Sequence, residues 1–90
     1  MDLVKINSNI LEIIVYGTHT CPHCKQEFAW LDERQIPYEI KFVDDDQEIA
    51  KEMFTLTNQL SVPVTVINYT NKESEYIINF DQETLQKTLF

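Results

Sequence analysis

The order of apolar and polar positions divides the chain into strand-like and helix-like segments. Residues 11–17 form a β-branched, apolar run, which is typical of a buried strand. After it, Cys24, Phe28 and Leu31 recur at i, i+4 and i+7, the spacing of side chains along one helix face. Trp30 lies off this stripe, so we expect it to be a half-buried aromatic on another face of the same helix.

A second strand and a second helix are predicted next. Residues 38–43 alternate between apolar and polar side chains, which is the period of a strand. We interpret the acids at positions 44–46 as the start of a helix, where carboxylates meet unpaired N–H groups and a partial positive charge. The apolar face predicted for that helix consists of Ile49, Met53, Leu56 and Leu60.

The remaining residues predict a hairpin and a last helix. Two β-rich runs, 64–69 and 75–78, are joined by a short polar segment and indicate antiparallel strands. Asp81 is the predicted N-cap of a final helix that carries Leu85 and Leu89. The order is β-α-β-α-β-β-α. Because the first strand–helix–strand unit requires parallel strands and the hairpin antiparallel ones, we expect an α/β fold with a mixed sheet.

Length, composition and charge exclude several classes of protein. A chain of 90 residues, 43% hydrophobic, is enough for one small domain spanning residues 1–90. A net charge of −8 argues against a nucleic-acid or acidic membrane surface as partner. Residues 1–5 lack the features of a signal peptide, and no apolar run is long enough to span a membrane. We therefore expect a cytoplasmic monomer.

Both cysteines of the chain lie in the tetrapeptide Cys21-Pro22-His23-Cys24, where the first strand gives way to the first helix. A Cys-x-x-Cys pair at such a junction is typical of a redox dithiol. The helix N-terminus carries a partial positive charge that stabilises a thiolate at Cys21. Pro22 suits the first helical turn, and a protonated His23 would stabilise the thiolate further. In the cytoplasm such a pair is catalytic rather than a structural disulfide.

Two structural interpretations of the tetrapeptide compete with the catalytic one. Cys24 could be simply a buried helix residue. His19, Cys21, His23 and Cys24 also provide the four ligands that a structural zinc site needs. All four lie close together in the sequence, whereas zinc fingers usually join two separated ligand pairs, so the zinc interpretation is the weaker one.

Two segments and the order of elements resemble one family. Residues 16–24, together with Ser61-Val62-Pro63 before the third strand, are similar to the glutaredoxin branch of the thioredoxin-fold family. The resemblance implies a thioredoxin-like fold with a four-stranded mixed sheet flanked by helices. It implies a cis Pro63 beside the cysteines and a Val62 backbone that pairs with a bound peptide or glutathione. With Tyr16 and Asp81, these residues form the substrate-binding set that the resemblance implies.

The same resemblance implies a dithiol–disulfide oxidoreductase that acts on disulfides of proteins or small molecules. Cys21 is then the nucleophile and Cys24 the resolving thiol, with no tightly bound cofactor. The family usually has Lys where this chain has Thr18, and Gly-Gly where it has Ile78-Asn79. Both departures weaken a glutathione site and leave glutathione and thioredoxin reductase as alternative electron sources.

Further alternatives follow from these departures. Small glutaredoxin-like electron donors of ribonucleotide reductase also lack the Gly-Gly pair, and residues 79–81 partly resemble a segment of those proteins. From a different class, Cys21 and Cys24 could bind a metal or an iron–sulfur cluster. The chain could also be a docking module that keeps the fold but has no redox activity.

Overall fold

The first strand lies inside the sheet and pairs with two neighbours. In the computed structural model, which describes residues 6–90, β1 (Ile10–Gly17) pairs in parallel with β2 (Glu39–Phe42). On its other side it pairs antiparallel with β3 (Val64–Tyr69), which pairs antiparallel with β4 (Glu75–Ile78). The strand order is β2-β1-β3-β4, so the predicted four-stranded mixed sheet is confirmed. The prediction about a signal peptide falls on residues 1–5, outside the described residues.

Three helices complete the predicted β-α-β-α-β-β-α order. They are α1 (Pro22–Glu33), α2 (Gln47–Thr57) and α3 (Gln82–Leu89). None of the helices in the described part of the chain has the length and apolarity needed to cross a membrane. The bounds of β3 and β4 coincide with the predicted runs, because both segments are rich in β-branched and aromatic residues and a polar segment separates them.

Acidic N-caps begin α2 and α3, as predicted. Asp46 accepts a hydrogen bond from the Glu48 N–H at 2.8 Å, and Asp81 accepts one from the Thr84 N–H at 3.1 Å. Each carboxylate satisfies a backbone donor that the first helical turn leaves unpaired.

The sheet buries both of its faces, and successive residues of β1 alternate between them. Ile13 and Val15 belong to a cluster with residues of α1 and α3, whereas Ile14 and Tyr16 pack with Met53 of α2. This alternation follows from the two-residue period of a strand. It explains why the strand is apolar throughout, since helices cover it on both sides.

The predicted apolar face of α2 is wrong at its C-terminal end. Met53 is buried, but Leu56 is 46% exposed and Leu60 is 83% exposed. The helix ends at Thr57 because Asn58 takes a left-handed conformation with φ 58°, so Leu60 lies beyond the helix.

Trp30 is more deeply buried than the sequence pattern suggested. Only 4% of its surface is exposed, because the core-facing side of α1 is wider than the predicted stripe. Its ring contacts the Phe80 ring edge-on, with centroids 6.4 Å apart, and the Arg34 guanidinium covers it at 4.1 Å. Trp30 is therefore a core residue.

The core contains one buried polar pair, Glu27 of α1 and Thr65 of β3, both fully buried. The Thr65 hydroxyl donates to Glu27 Oε2, while Glu27 Oε1 has no hydrogen-bond partner within the described residues. Removal from water disfavours the ionised carboxylate, and this burial raises the pKa of Glu27 to about 7.

The Glu27 pKa predicts how stability depends on pH. The unfolded chain, in which the Glu27 pKa is 4.5, loses the proton before the native state does. From about pH 5 to 7 the native state therefore binds more protons, and the free energy of unfolding falls by about 1.4 kcal/mol per pH unit from this group. Glu27→Gln should abolish that fall, measured by urea unfolding from pH 5 to 8. If the free energy of unfolding depended on pH in the same way for the wild type and the variant, the raised pKa of Glu27 would be contradicted.

Candidate active site

The loop between β1 and α1 is held in place from the β2 side. The Val43 N–H donates to the Gly17 carbonyl at 2.9 Å, which extends the parallel pairing to the end of β1. The His19 N–H donates to Asp44 Oδ2 at 3.1 Å, and His19 Nε2 lies 3.0 Å from Asp45 Oδ2. These contacts fix the loop that leads into the first cysteine.

Cys21 is the N-cap of α1, and its sulfur takes the place of a capping oxygen. The Cys24 N–H donates to Cys21 Sγ at 3.1 Å, and Pro22 is the first residue of the helix. Pro22 fits there because the N–H it lacks would have no helical partner. The helix N-terminus therefore presents both a donor and a partial positive charge to a partly exposed sulfur. Reactive cysteines typically lie in partly exposed, electropositive surroundings of this kind.

Cys24 lies beneath Cys21 and is fully buried. Gly17 allows the close approach, since a Cβ at that position would lie 3.1 Å from Cys24 Sγ and 3.2 Å from Cζ of Phe28. Burial, and next the hydrogen bond with Cys21, raises the pKa of the Cys24 thiol above its ordinary value. The pair is thus asymmetric, with an accessible sulfur in front and a protonated thiol behind.

The segment before β3 lies next to the first cysteine. The Val62–Pro63 peptide bond is cis, and the Val62 carbonyl oxygen is 4.0 Å from Cys21 Sγ. Val62 is partly exposed, and within residues 6–90 its N–H makes no hydrogen bond. An extended peptide could therefore pair with Val62 while one of its sulfurs faces Cys21.

The turn after β4 borders the same site. The Asn79 N–H donates to the Pro63 carbonyl at 2.9 Å, and Asn79 has a left-handed backbone with φ 64°. Asparagine tolerates this conformation, so the turn does not need glycine, but an exposed side chain stands where glycine would have none. Asp81 follows, exposed, with its carboxylate bound to Thr84. The hydrogen bond from the Thr84 hydroxyl holds the Asp81 pKa below its ordinary value.

Two further residues of the predicted set lie in different surroundings. His23 is exposed on the first turn of α1, beside Cys24 in the sequence. Tyr16 is only 1% exposed, and its hydroxyl donates to Glu52 of α2, which also binds Lys41 Nζ at 2.7 Å. Strand alternation turns Tyr16 to the α2 face of the sheet. Tyr16 is therefore a core residue in this structure, and its place in the substrate-binding set stays a prediction from the resemblance.

The structure does not bring the four residues considered as zinc ligands together. His19 stacks on Phe42 with ring centroids 3.7 Å apart and is bound to Asp45, and this hydrogen bond raises the pKa of His19. Among residues 6–90, the metal-compatible group of side chains is His19, Asp44 and Asp45, all exposed. Cys24 is buried against Gly17 and presents no open side to a metal ion.

Two features of this region were missed by the sequence analysis. The buried Glu27 lies three residues after Cys24, and its helical spacing was a usable signal because i and i+3 share a face. The contact between His19 and Asp45 had no such signal, because it joins residues that are far apart in sequence.

Comparisons with known proteins give a consistent result. Residues 13–70 match the family model described as Glutaredoxin. An uncharacterized glutaredoxin-like 8.6 kDa protein in the rubredoxin operon of Clostridium pasteurianum is 31% identical over 77 residues. That alignment covers 86% of this chain and 96% of the relative.

Solved structures share the fold. A thioredoxin-like protein superposes with a TM-score of 0.76 at 27% identity, covering 87% of this chain and 100% of its own. The glutaredoxin of Archaeoglobus fulgidus superposes with a TM-score of 0.73 at 23% identity, and the match covers 86% of this chain and 84% of that protein. Methanoredoxin of Methanosarcina acetivorans superposes with a TM-score of 0.69 at 23% identity, and the match covers 98% of each chain. The thioredoxin-like fold that the family resemblance implied is thereby confirmed.

The asymmetry of the cysteines predicts selective alkylation. Native reduced protein treated with iodoacetamide at pH 7 should gain one adduct, at Cys21, because Cys24 is buried and its thiol stays protonated. Cys21 should react at least about tenfold faster, since each unit of pKa above the pH reduces the thiolate fraction about tenfold. Peptide mass spectrometry locates the adduct, and denatured protein, which should gain two, is the control. Equal labelling of both cysteines in native protein would contradict the assignment.

Proposed function

The chain belongs to the glutaredoxin family, and from that premise we propose that it is a dithiol–disulfide oxidoreductase of the cytoplasm. The family and the two neighbouring cysteines support a thiol redox function in general. The specific proposal rests mainly on one observation. Cys21 is a partly exposed sulfur that accepts the Cys24 N–H, and a buried second thiol lies directly behind it.

The first step is attack by the Cys21 thiolate on a substrate disulfide. A bond forms between Cys21 Sγ and one substrate sulfur, and the substrate S–S bond breaks with its electron pair leaving on the other sulfur. The Cys24 N–H, which donates to Cys21 Sγ, and the positive end of the helix favour this step because both are placed to stabilise an attacking thiolate before substrate arrives.

The second step releases the remaining substrate thiol. Cys24 loses its proton and attacks Cys21 Sγ, so that a Cys21–Cys24 disulfide forms and the mixed disulfide breaks. The substrate has gained two electrons, and the protein has lost two. The pair requires no bound cofactor, and the oxidised protein must then be reduced by a separate electron donor.

We assign substrate binding to the groove beside Cys21. The unpaired N–H and the carbonyl of Val62 can add an extended substrate segment as a short strand, which places its disulfide against Cys21. Strand pairing of this kind depends on the backbone of the substrate and not on its side chains, so it suits disulfides in proteins and in small peptides. Pro63 and Asn79 form the base of the groove through their mutual hydrogen bond.

As electron source we propose a flavoprotein of the thioredoxin reductase type in preference to glutathione. Thr18 offers no charge to a glutathione carboxylate, and Asn79 fills space where the family usually has glycine. The acids Asp44 and Asp45 lie beside the loop before Cys21 and add a negative field that repels the anionic tripeptide. Such a protein could supply electrons to ribonucleotide reductase or to a similar reductase.

A coupled assay tests both parts of this proposal. NADPH oxidation with a disulfide substrate should proceed with thioredoxin reductase and stay at background with glutathione plus glutathione reductase. Cys21→Ser should abolish turnover of every substrate. Cys24→Ser should abolish turnover only of those substrates whose release requires attack by Cys24 on the mixed disulfide. Turnover with glutathione alone would overturn the assignment of the reductant. Inactivity with both systems would overturn the oxidoreductase itself and favour a docking module.

From the position of His23 we predict that it raises the reduction potential of the Cys21–Cys24 pair. A positive charge on His23 at the exposed first turn of α1 would favour the thiolate form, so the potential should lie above the value of about −270 mV typical of thioredoxin. His23→Ala should make it about 10–20 mV more negative, which corresponds to about 0.5–1 kcal/mol for an exposed charge. Equilibration in thiol–disulfide buffers measures both proteins. An unchanged potential in the variant would show that His23 does not tune the pair.

A further inference from the structure

Glu27 is a fully buried ionisable group next to the resolving cysteine, and the mechanism above does not use it. It follows Cys24 by three residues on α1, so the two side chains leave neighbouring turns on one face of the helix. Helical side chains point back toward the N-terminus, which directs the Glu27 carboxylate over the turn that carries Cys24.

The hydrogen bonds of Glu27 leave one oxygen available. Thr65 binds Oε2, and Oε1 has no partner within residues 6–90. A buried acceptor without a donor is costly, and proteins retain such atoms where they serve a purpose. The Glu27 charge also acts on the Cys24 thiol, because it contributes to raising the Cys24 pKa.

Proton transfer between these two groups avoids a large electrostatic cost. If Cys24 lost its proton to solvent while Glu27 stayed ionised, two negative charges would lie in the same buried region, about one helical turn apart. If the proton moves from Cys24 to Glu27, the buried region holds one negative charge before and after the transfer. The second route creates the attacking thiolate without adding charge to the core.

We propose that Glu27 accepts the Cys24 proton in the second step of the reaction, an inference that rests on the proposed oxidoreductase function. The S–H bond of Cys24 breaks, and its proton joins Glu27 Oε1. The Cys24 thiolate then bonds to Cys21 Sγ, and the substrate sulfur leaves with the electron pair of the mixed disulfide. The substrate thiolate takes up a proton from solvent, and Glu27 returns its own to solvent. The only oxidant is the substrate disulfide.

The charge of Glu27 reaches other ionisable side chains on α1 and beside it. It contributes to raising the pKa of Cys24 and of Tyr38, and the pKa of Tyr38 is raised to about 12, far above the range of this titration. On the sheet, the register places buried Val15 and Ile77 on either side of Thr65. Thr65 lowers the Glu27 pKa through its hydroxyl, which makes the titration adjustable by mutation.

A stopped-flow reaction with dithiobis(nitrobenzoate) separates the two steps. The reduced protein should release one coloured thiol when Cys21 attacks and a second when Cys24 resolves the mixed disulfide. In the wild type the rate of the second phase should rise with pH through an inflection near 7, as Glu27 becomes ionised. Glu27→Gln should remove this inflection and slow the second phase at pH 7.5 by about 100-fold or more, since loss of a general base typically costs about 10²–10⁴-fold. Its first phase should be unchanged.

Matched variants separate this role from a structural one. Thr65→Val should move the inflection to higher pH, because it removes the donor that stabilises ionised Glu27. Glu33→Gln, on an exposed position of the same helix, should leave both phases as in the wild type. An unchanged or faster second phase in Glu27→Gln, with the wild-type pH profile, would overturn the proposal. Absence of the first phase in the wild type would instead refute the oxidoreductase function.

Discussion

The hydrogen bond from the Cys24 N–H to Cys21 Sγ connects the fold of this protein to its chemistry. A helix must cap its first unpaired N–H groups, and here a sulfur performs that task. The capping geometry fixes the spacing of the two cysteines and places Pro22 at the first helical position. The same contact that begins α1 therefore supplies a hydrogen-bond donor to the sulfur that we propose as the nucleophile.

The two thiols differ in burial, and this difference matches the two roles that we propose for them, nucleophile and resolving thiol. Gly17, at the end of the central strand, lets α1 approach the sheet closely enough to bury Cys24. Cys21 remains partly exposed because it stands at the end of the helix, opposite the Val62 carbonyl. Burial protects the resolving thiol from outside reagents, but it also makes deprotonation costly, which is the problem that a neighbouring Glu27 would solve.

Negative charge surrounds the entrance to the site and constrains its partners. Asp44 and Asp45 anchor the loop before Cys21, and Asp81 caps α3 close to the Pro63 turn. Each of these acids has a structural role, and their negative charges also add up to a negative electrostatic potential beside Cys21. These charges are one reason why we propose an electron source other than glutathione.

The sequence by itself determined the order of elements, the mixed sheet, the bounds of the hairpin strands and the position of the dithiol. These follow from short-range patterns, namely strand and helix periods, caps and the Cys-x-x-Cys spacing. Tertiary structure alone decided which side chains each face covers. Tyr16 meets Glu52 on the α2 face, Leu60 stays exposed beyond a helix that ends early, and Glu27 is buried against Thr65. The contacts of Tyr16 and Glu27 join residues far apart in the chain, so a local period can favour their burial but cannot specify the partner that each one meets.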